Sequence, residues 1–176
     1  MIDLKPACGR MTEVLSKVTD EQLSDPTPCT EYSVRELIAH VDDAARAFTG
    51  FARKETPGSA EPGDWRQSTE KSVRALGDAW DDPEAWQGET EGPGFTLPNV
   101  TWGKVALTEM VVHGWDLARA TGQPFDLPEE TLRACHDHVS GFVAAAPLPE
   151  LWGPPVETPA DAPLIDRIVG CTGRRP

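Results

Sequence analysis

Three residues that can bind a metal ion or a proton lie close together in one apolar segment of the sequence. Glu109, His113 and Asp116 are separated by four and then three positions within residues 107–117. On an α-helix these separations place side chains on one face. Apolar residues share that arc, so a carboxylate and an imidazole are expected to point into the interior. Because a buried carboxylate costs free energy unless something pairs with it, the segment requires a partner, and a metal ion is one candidate.

An earlier helix offers a third ligand. Ser33 and Glu36 have the spacing of a capping box, and an apolar stripe follows them to Phe48. His40 lies within this stripe and therefore faces inward. A His–Glu–His set suits a divalent ion such as zinc or nickel and leaves a coordination position for water or substrate. The spacing alone leaves a second interpretation open, because E-x-x-x-H occurs by chance in many helices and buried histidines are often hydrogen-bonded core residues.

Other segments predict the helices that have to position these residues. Helical periodicity recurs at residues 7–18, 33–48, 68–80, 128–146 and 164–169, and the 107–117 helix is expected to be capped by Asn99 or Thr101 and to end at Gly122. Proline and glycine punctuate residues 54–65, 81–100 and 146–163, which predicts loops with no more than a short hairpin near 95–97. Five or six helices with almost no strand pattern predict an all-α bundle, in which facing helices build metal sites.

Composition narrows the class of protein. The 176 residues are 39% hydrophobic and 26% charged, which predicts one globular domain over residues 1–176. No apolar run is long enough for a membrane span and no secretion signal is found, so a cytoplasmic location is expected. The net charge of −13, with no basic cluster before Arg174, argues against a nucleic-acid partner. The four cysteines form no C-x-x-C pair and are expected to be free thiols.

Three segments in combination resemble a known family. They are residues 27–40 (TPCTEYSVRELIAH), 109–122 (EMVVHGWDLARATG) and 172–174 (TGR). They resemble the actinobacterial branch of the DinB-like superfamily, which includes the mycothiol-dependent maleylpyruvate isomerases and many uncharacterised metal-binding proteins. The resemblance implies a DinB-like four-helix-bundle core with additional short helices and long loops. It also implies a divalent metal held at the positions of His40, Glu109 and His113.

The resemblance also implies a chemistry. In thiol-dependent members the metal binds the sulfur of mycothiol and holds it as the reactive thiolate. We therefore expect a metal-dependent thiol transferase or isomerase that acts on a small electrophile, whose pocket the loops 54–65 and 81–100 would shape. The alternative is a non-catalytic metal-binding or small-molecule-binding accessory protein. The isomerase has a further C-terminal domain for which this chain has no room, so maleylpyruvate isomerisation itself is not expected. The catalytic residues stay unassigned, and a monomer or a homodimer is expected.

Three other residues that can bind protons receive more ordinary interpretations. Asp116 is expected to support the site by accepting a hydrogen bond from a ligand imidazole or a backbone amide, and not to bind the metal itself. His136 falls on the apolar side of its helix and is interpreted as a core or edge residue. His138 points elsewhere and is expected to be solvated.

A cysteine and two tryptophans complete the set of candidate residues. Cys29 directly follows a proline and precedes the second helix, near no obvious base, so it is interpreted as a packing residue and not as a nucleophile. Trp65 and Trp86 lie in predicted loops and are candidates for the mouth of a substrate pocket.

Overall fold

The computed structural model describes residues 1–59, 63–92, 94–142 and 152–176. Their six α-helices are α1 (Lys5–Lys17), α2 (Val34–Arg53), α3 (Trp65–Ala79), α4 (Asn99–Ala120), α5 (Glu129–Phe142) and α6 (Leu164–Cys171). Two short 3₁₀ helices span Asp20–Ser24 and Pro83–Trp86, and strands β1 (Glu89–Glu91) and β2 (Thr96–Pro98) form an antiparallel hairpin. The predicted all-α, DinB-like fold class is confirmed.

Helix α4 is the centre of the bundle. Helices α1 and α2 each pack against both α3 and α4, and α5 packs on α4 and α6. Every residue from Ala106 to Ala118 is buried, because neighbours cover α4 on all sides. Leu107 and Met110 are fully buried within this stretch. The three ionisable residues of the 107–117 segment are therefore buried in the interior of the protein.

The boundaries of α2 and α3 follow from their caps. The Ser33 hydroxyl accepts a hydrogen bond from the Glu36 amide, and the Glu36 carboxylate accepts one from the Ser33 amide at 2.8 Å, which confirms the predicted capping box. Helix α2 runs beyond the predicted end to Arg53. Helix α3 begins three residues before the predicted start, because Asp64 caps it by accepting a hydrogen bond from the Arg66 amide.

The start of α4 differs from the prediction. Neither Asn99 nor Thr101 caps the helix, because Pro98 occupies the N-cap position without a side-chain hydrogen bond. Asn99 is fully buried instead. Its side chain donates to the Ala85 carbonyl at 2.8 Å and accepts from the Thr90 hydroxyl at 2.8 Å. This asparagine therefore joins the hairpin and the second 3₁₀ helix to α4.

The C-terminal helices lie where the sequence predicts them. Gly122 has a φ of 67° just beyond the end of α4, as expected for a glycine that terminates a helix. Helix α5 covers most of the predicted 128–146 segment, whose residues 143–146 lie outside the described part of the chain, as do 147–151 of the predicted loop after it. Among the described helices, none combines the length and apolar character needed to cross a membrane.

The remaining core predictions have mixed outcomes. All four cysteines are free, as predicted. Burial raises the pKa values of Cys8 and Cys135 to about 12, so both thiols stay protonated. The interpretation of Trp86 as a mouth residue is wrong, because its ring is buried and its indole nitrogen donates to the Trp80 carbonyl at 2.9 Å. Trp65 starts α3 and lines a cleft against α2.

Candidate metal centre

Two imidazoles and one carboxylate meet where α2 faces α4. Glu109 Oε2 lies 3.2 Å from His40 Nε2 and 3.3 Å from His113 Nε2. The ligand atoms of these three residues all lie within 4.8 Å of one another. The structure thus brings together the three residues that the sequence and the resemblance point to as metal ligands. Their binding of a metal ion stays a prediction.

The separations of these atoms are compatible with ligation of a shared metal ion as well as with hydrogen bonds. Zinc–nitrogen and zinc–oxygen distances of about 2.0–2.2 Å place the ligand atoms of a tetrahedral site about 3.4 Å apart. Hydrogen bonds between an imidazolium and a carboxylate are shorter, about 2.7–2.9 Å. The observed 3.2 and 3.3 Å are nearer to the tetrahedral value. Two nitrogens and one oxygen are also a donor set that zinc and nickel accept.

Aromatic rings hold the two imidazoles in place. Tyr32 stacks on His40 with ring centroids 5.2 Å apart, and Trp152 stacks on His113 at 6.1 Å. The two histidine rings meet edge to face at 4.9 Å. The His40 side chain is 34% exposed, whereas those of Glu109 and His113 are 12% and 5% exposed. Solvent, and any small molecule, therefore reaches these atoms from the side of His40.

A buried ion pair fixes the orientation of His113. Asp116 Oδ2 accepts a hydrogen bond from His113 Nδ1 at 3.0 Å, so the other ring nitrogen, Nε2, faces Glu109. The guanidinium of Arg174 donates to both Asp116 oxygens, at 3.2 and 2.8 Å. Asp116 is fully buried and Arg174 nearly so. Such carboxylate–imidazole pairs orient metal-binding histidines and raise their basicity. We call these three residues the Arg174–Asp116–His113 chain.

The sequence reasoning missed the positions of Arg174, Tyr32 and Trp152. Arg174 follows the last helix and carries no periodic pattern; in the sequence it stands out only in the TGR segment and in the terminal Arg174–Arg175 pair. Its position is maintained by a hydrogen bond to the Thr172 carbonyl at 2.7 Å and by Gly173, whose φ of 85° favours glycine. Stacking contacts across loops, like those of Tyr32 and Trp152, leave no spacing signal in a sequence.

Without a metal ion, the site is an ion pair. Burial by itself would raise the pKa of Glu109, but hydrogen bonds and charges from His113 and His40 outweigh burial and lower this pKa to about 2. Burial by itself would lower the pKa of His113, but Asp116 and Glu109 raise it to about 9. At neutral pH the metal-free protein therefore has an anionic Glu109 beside a cationic His113.

Metal binding should consequently depend on pH. Below about pH 9 the metal-free His113 carries a proton that must leave before Nε2 can bind a cation. We expect the apparent zinc affinity to rise about tenfold per pH unit from about pH 7 to pH 9, and to level off above that. Competition against a chromophoric chelator, corrected for the chelator's own protonation, measures this slope. An affinity that stays constant over the interval would contradict a protonated His113.

Cys29 lies beside this centre, so the prediction that it is near no base is wrong. Its sulfur falls within 4.8 Å of the ligand atoms of His113 and Asp116. The Thr27 hydroxyl donates a hydrogen bond to the Cys29 carbonyl at 2.9 Å, which holds this loop in place. Burial raises the pKa of the Cys29 thiol. A cation between these three groups is disfavoured, because the Arg174 guanidinium already occupies both carboxylate oxygens of Asp116.

The other two histidines lie on α5. His136 is half-buried, with Nδ1 4.0 Å from the Asp137 carboxylate, which agrees with an edge position. The prediction that His138 is solvated is wrong. Its side chain is buried, and burial together with the charge of Lys104 lowers its pKa to about 4. The inward face of α5 is therefore wider than the apolar stripe indicates.

Comparison with known proteins places the chain in a family. The family model for the mycothiol maleylpyruvate isomerase N-terminal domain matches residues 4–118, more than half of the chain, and this stretch includes His40, Glu109 and His113. The chain belongs to this family. Two uncharacterized proteins from Mycobacterium tuberculosis, of strains CDC 1551 / Oshkosh and H37Rv, are each similar to this family member. Each is 26% identical over 169 residues, covering 92% of this chain and 90% of the relative.

Solved structures of the family share the fold. A crystal structure of the mycothiol-dependent maleylpyruvate isomerase matches with a TM-score of 0.59 at 23% identity, and that of a histidine-to-alanine mutant matches with the same TM-score at 22% identity. Each match covers 77% of this chain and 66% of the solved chain. This family member therefore spans about two thirds of the length of the solved proteins it matches.

Proposed function

We propose that this protein holds a divalent metal ion with His40, Glu109 and His113, and that it activates the thiol of a small-molecule cofactor, such as mycothiol, for reaction with a small electrophile. Zinc is the proposed ion, with nickel as the alternative. The observation that carries the proposal is the placement of Glu109 Oε2 at nearly equal distances, 3.2 and 3.3 Å, from two imidazole nitrogens. A bound ion of this kind lowers the pKa of a thiol or water that it contacts.

Residues of this protein would have separate roles in holding the ion, orienting a ligand and admitting the thiol. Two neutral imidazoles and one carboxylate would leave a bound divalent ion with a net positive charge, which favours an anionic sulfur beside it. The Arg174–Asp116–His113 chain would hold one imidazole in the tautomer that presents Nε2. The exposed edge of His40 would be the entry side, because the other two ligands are buried. Tyr32, stacked on His40, would form part of that entry.

The choice of thiol rests on the family. The descriptions of the family and of both solved relatives mention mycothiol and a maleylpyruvate isomerase. A thiol transferase and a thiol-dependent isomerase both need the sulfur held as a thiolate, so the proposed site serves either reaction. A cytoplasmic location forms part of the proposal.

The test uses zinc-loaded and chelator-stripped protein with mycothiol and a panel of electrophiles, including maleylpyruvate and a bromobimane dye. With the electrophiles that become conjugated we expect thiol consumption, and with maleylpyruvate we expect loss of the substrate without net loss of thiol. Both are expected above the spontaneous rate only with the metal-loaded protein, and more weakly when free cysteine replaces mycothiol. Metal content is measured on the same samples. One equivalent of metal without any metal-dependent reaction would favour the non-catalytic alternative. Protein that takes up no stoichiometric zinc or nickel would overturn the proposal altogether.

A further inference from the structure

Part of the candidate metal centre lies outside the stretch that the family model matches. The three candidate ligands fall within residues 4–118, but Trp152 and Arg174 do not. The Trp152 ring stacks on the His113 imidazole with centroids 6.1 Å apart, and the Arg174 guanidinium carbon lies 5.4 Å from the centre of the same ring. One indole therefore lies against both ends of the Arg174–Asp116–His113 chain.

A close contact between two glycines brings Trp152 and Arg174 together. Gly153 follows Trp152, Gly173 precedes Arg174, and the two glycine backbones touch. A Cβ added at Gly173 would lie 2.8 Å from the Gly153 Cα and 2.9 Å from the Gly153 carbonyl oxygen, so Gly173 has no room for a side chain. The turn that carries Arg174 is therefore packed directly on the residue after Trp152.

A second contact continues the first along the chain. The Val156 amide donates a hydrogen bond to the Gly170 carbonyl at 2.9 Å. A Cβ added at Gly170 would lie 2.6 Å from the Thr158 side chain, so this approach is also close. Residues 152–158 thus pack against the end of α6 and the turn after it, residues 170–174. We call these two segments together the C-terminal cap.

The C-terminal cap encloses the buried side of the metal centre. His113, Asp116 and Arg174 are almost completely buried, whereas Trp152 is half-buried at the edge of the group. A ring stacked on the imidazole restricts its rotation and keeps water from the hydrogen bond between His113 Nδ1 and Asp116. Hydrogen bonds between charged groups are stronger where water is excluded. The indole thus favours the orientation in which His113 Nε2 faces Glu109.

We infer that Trp152 is a positioning residue for the candidate metal centre. The Gly153–Gly173 contact holds it in place, and its indole fixes His113 and Arg174 relative to each other. The inference rests on the proposed function, because it takes His113 as a metal ligand, but the contacts themselves exist without an ion. The stretch 4–118 then supplies the three ligands, and the C-terminal cap orients one of them.

The first experiment compares Trp152→Ala with Trp152→Phe in the full chain. Buffered zinc titration measures the metal affinity, and circular dichroism verifies that each variant is folded. We expect Trp152→Ala to bind zinc about 10- to 100-fold more weakly than the native protein, as is typical when a group that orients a ligand is lost. Trp152→Phe keeps an aromatic ring against His113 and should remain within about threefold of the native affinity.

The second experiment tests the glycine contact with a matched pair of variants, Gly173→Ala and Gly122→Ala. Both glycines have a positive φ, 85° and 67°, so alanine strains the backbone at either position. A Cβ at Gly122 meets nothing within 4 Å, whereas a Cβ at Gly173 pushes Gly153 away. We expect at least about a tenfold loss of zinc affinity in Gly173→Ala, and a change within about twofold in Gly122→Ala.

A third measurement needs no metal. The proton on His113 Nδ1, hydrogen-bonded to Asp116, should give a downfield resonance in the nuclear magnetic resonance spectrum of the metal-free native protein, assigned by its loss in His113→Ala. We expect exchange with water to broaden this resonance in Trp152→Ala and Gly173→Ala, but not in Trp152→Phe or Gly122→Ala.

The resonance separates failure of this inference from failure of the proposed function. If the native protein binds no zinc, the proposed function fails, and the resonance alone decides whether Trp152 positions His113. Native zinc affinity in Trp152→Ala, an equal loss of affinity in Trp152→Phe, equal effects of the two glycine substitutions, or an unchanged His113 resonance in Trp152→Ala would each overturn the inference.

Discussion

Replacing His113 by alanine is expected to weaken metal binding by about two to three orders of magnitude. The substitution removes one of three ligands and leaves Glu109 paired with His40 alone. Structural zinc sites with four ligands gain roughly 10–16 kcal/mol in total, so losing one ligand should weaken binding roughly a hundred- to thousandfold. Equilibrium titration with buffered zinc, together with elemental analysis of the purified protein, measures the change.

The matched control for this experiment is His136→Ala. His136 is a half-buried histidine on α5 that the structure places beside Asp137 and not at the candidate metal centre. It should retain one equivalent of metal at native affinity. Glu109→Gln preserves the shape of the third ligand while removing its charge, and it should weaken binding to an extent similar to His113→Ala. Full zinc binding by His113→Ala would refute the assignment of these three residues as ligands.

Replacing Arg174 by methionine should cause the largest loss of stability of any substitution considered. It leaves Asp116, which is fully buried, without its cationic partner. Removing one member of a buried ion pair typically costs about 3–5 kcal/mol. Since Asp116 would no longer be held in place, His113 would also lose its fixed orientation, and we expect metal affinity to fall about 10- to 100-fold. Urea unfolding of the metal-free protein and zinc titration of the folded protein measure the two effects.

The neighbouring Arg175 provides the control, because it is exposed. Arg175→Met should change the free energy of unfolding by less than about 0.5 kcal/mol. The double variant Arg174→Met with Asp116→Leu removes both charges and should recover part of the lost stability, since an apolar pair can replace a buried ion pair. It should not recover zinc affinity. If Arg174→Met behaves like Arg175→Met, or if the double variant restores zinc binding, Arg174 does not position the site.

The features that depend on residues close together in the sequence could be predicted from it. The four-residue separation of Glu109 and His113, and the place of His40 in an apolar stripe, are patterns within single helices, and the structure brings all three together. The Ser33–Glu36 capping box likewise marked the start of α2 correctly. For the three candidate ligands the helical repeat determines which way the side chain points, and for the capping box the Ser33–Glu36 spacing determines where α2 begins.

The parts that depend on distant segments could not be predicted. Arg174 is 58 residues from Asp116 in the sequence, and no repeat connects a loop residue to a helix at that separation. The prediction that Asn99 caps α4 rests on the frequency of asparagine at helix N-caps. Its buried side chain instead makes hydrogen bonds that join α4 to β1 and to the second 3₁₀ helix. Residues 60–62 and 93, within the two predicted pocket loops, lie outside the described part of the chain, so their place near an electrophile stays a prediction.

The distance in sequence between Asp116 and Arg174 also sets an order of events during synthesis. A ribosome adds about 5–20 residues per second, so the 58 residues that separate the pair take roughly 3 to 12 seconds to make. During that interval all three candidate ligands have already been synthesised, but the Asp116 carboxylate has no guanidinium partner. Before Arg174 is made, the partly synthesised bundle therefore carries an unpaired carboxylate at Asp116, and a cation that pairs with it would stabilise the bundle at that stage.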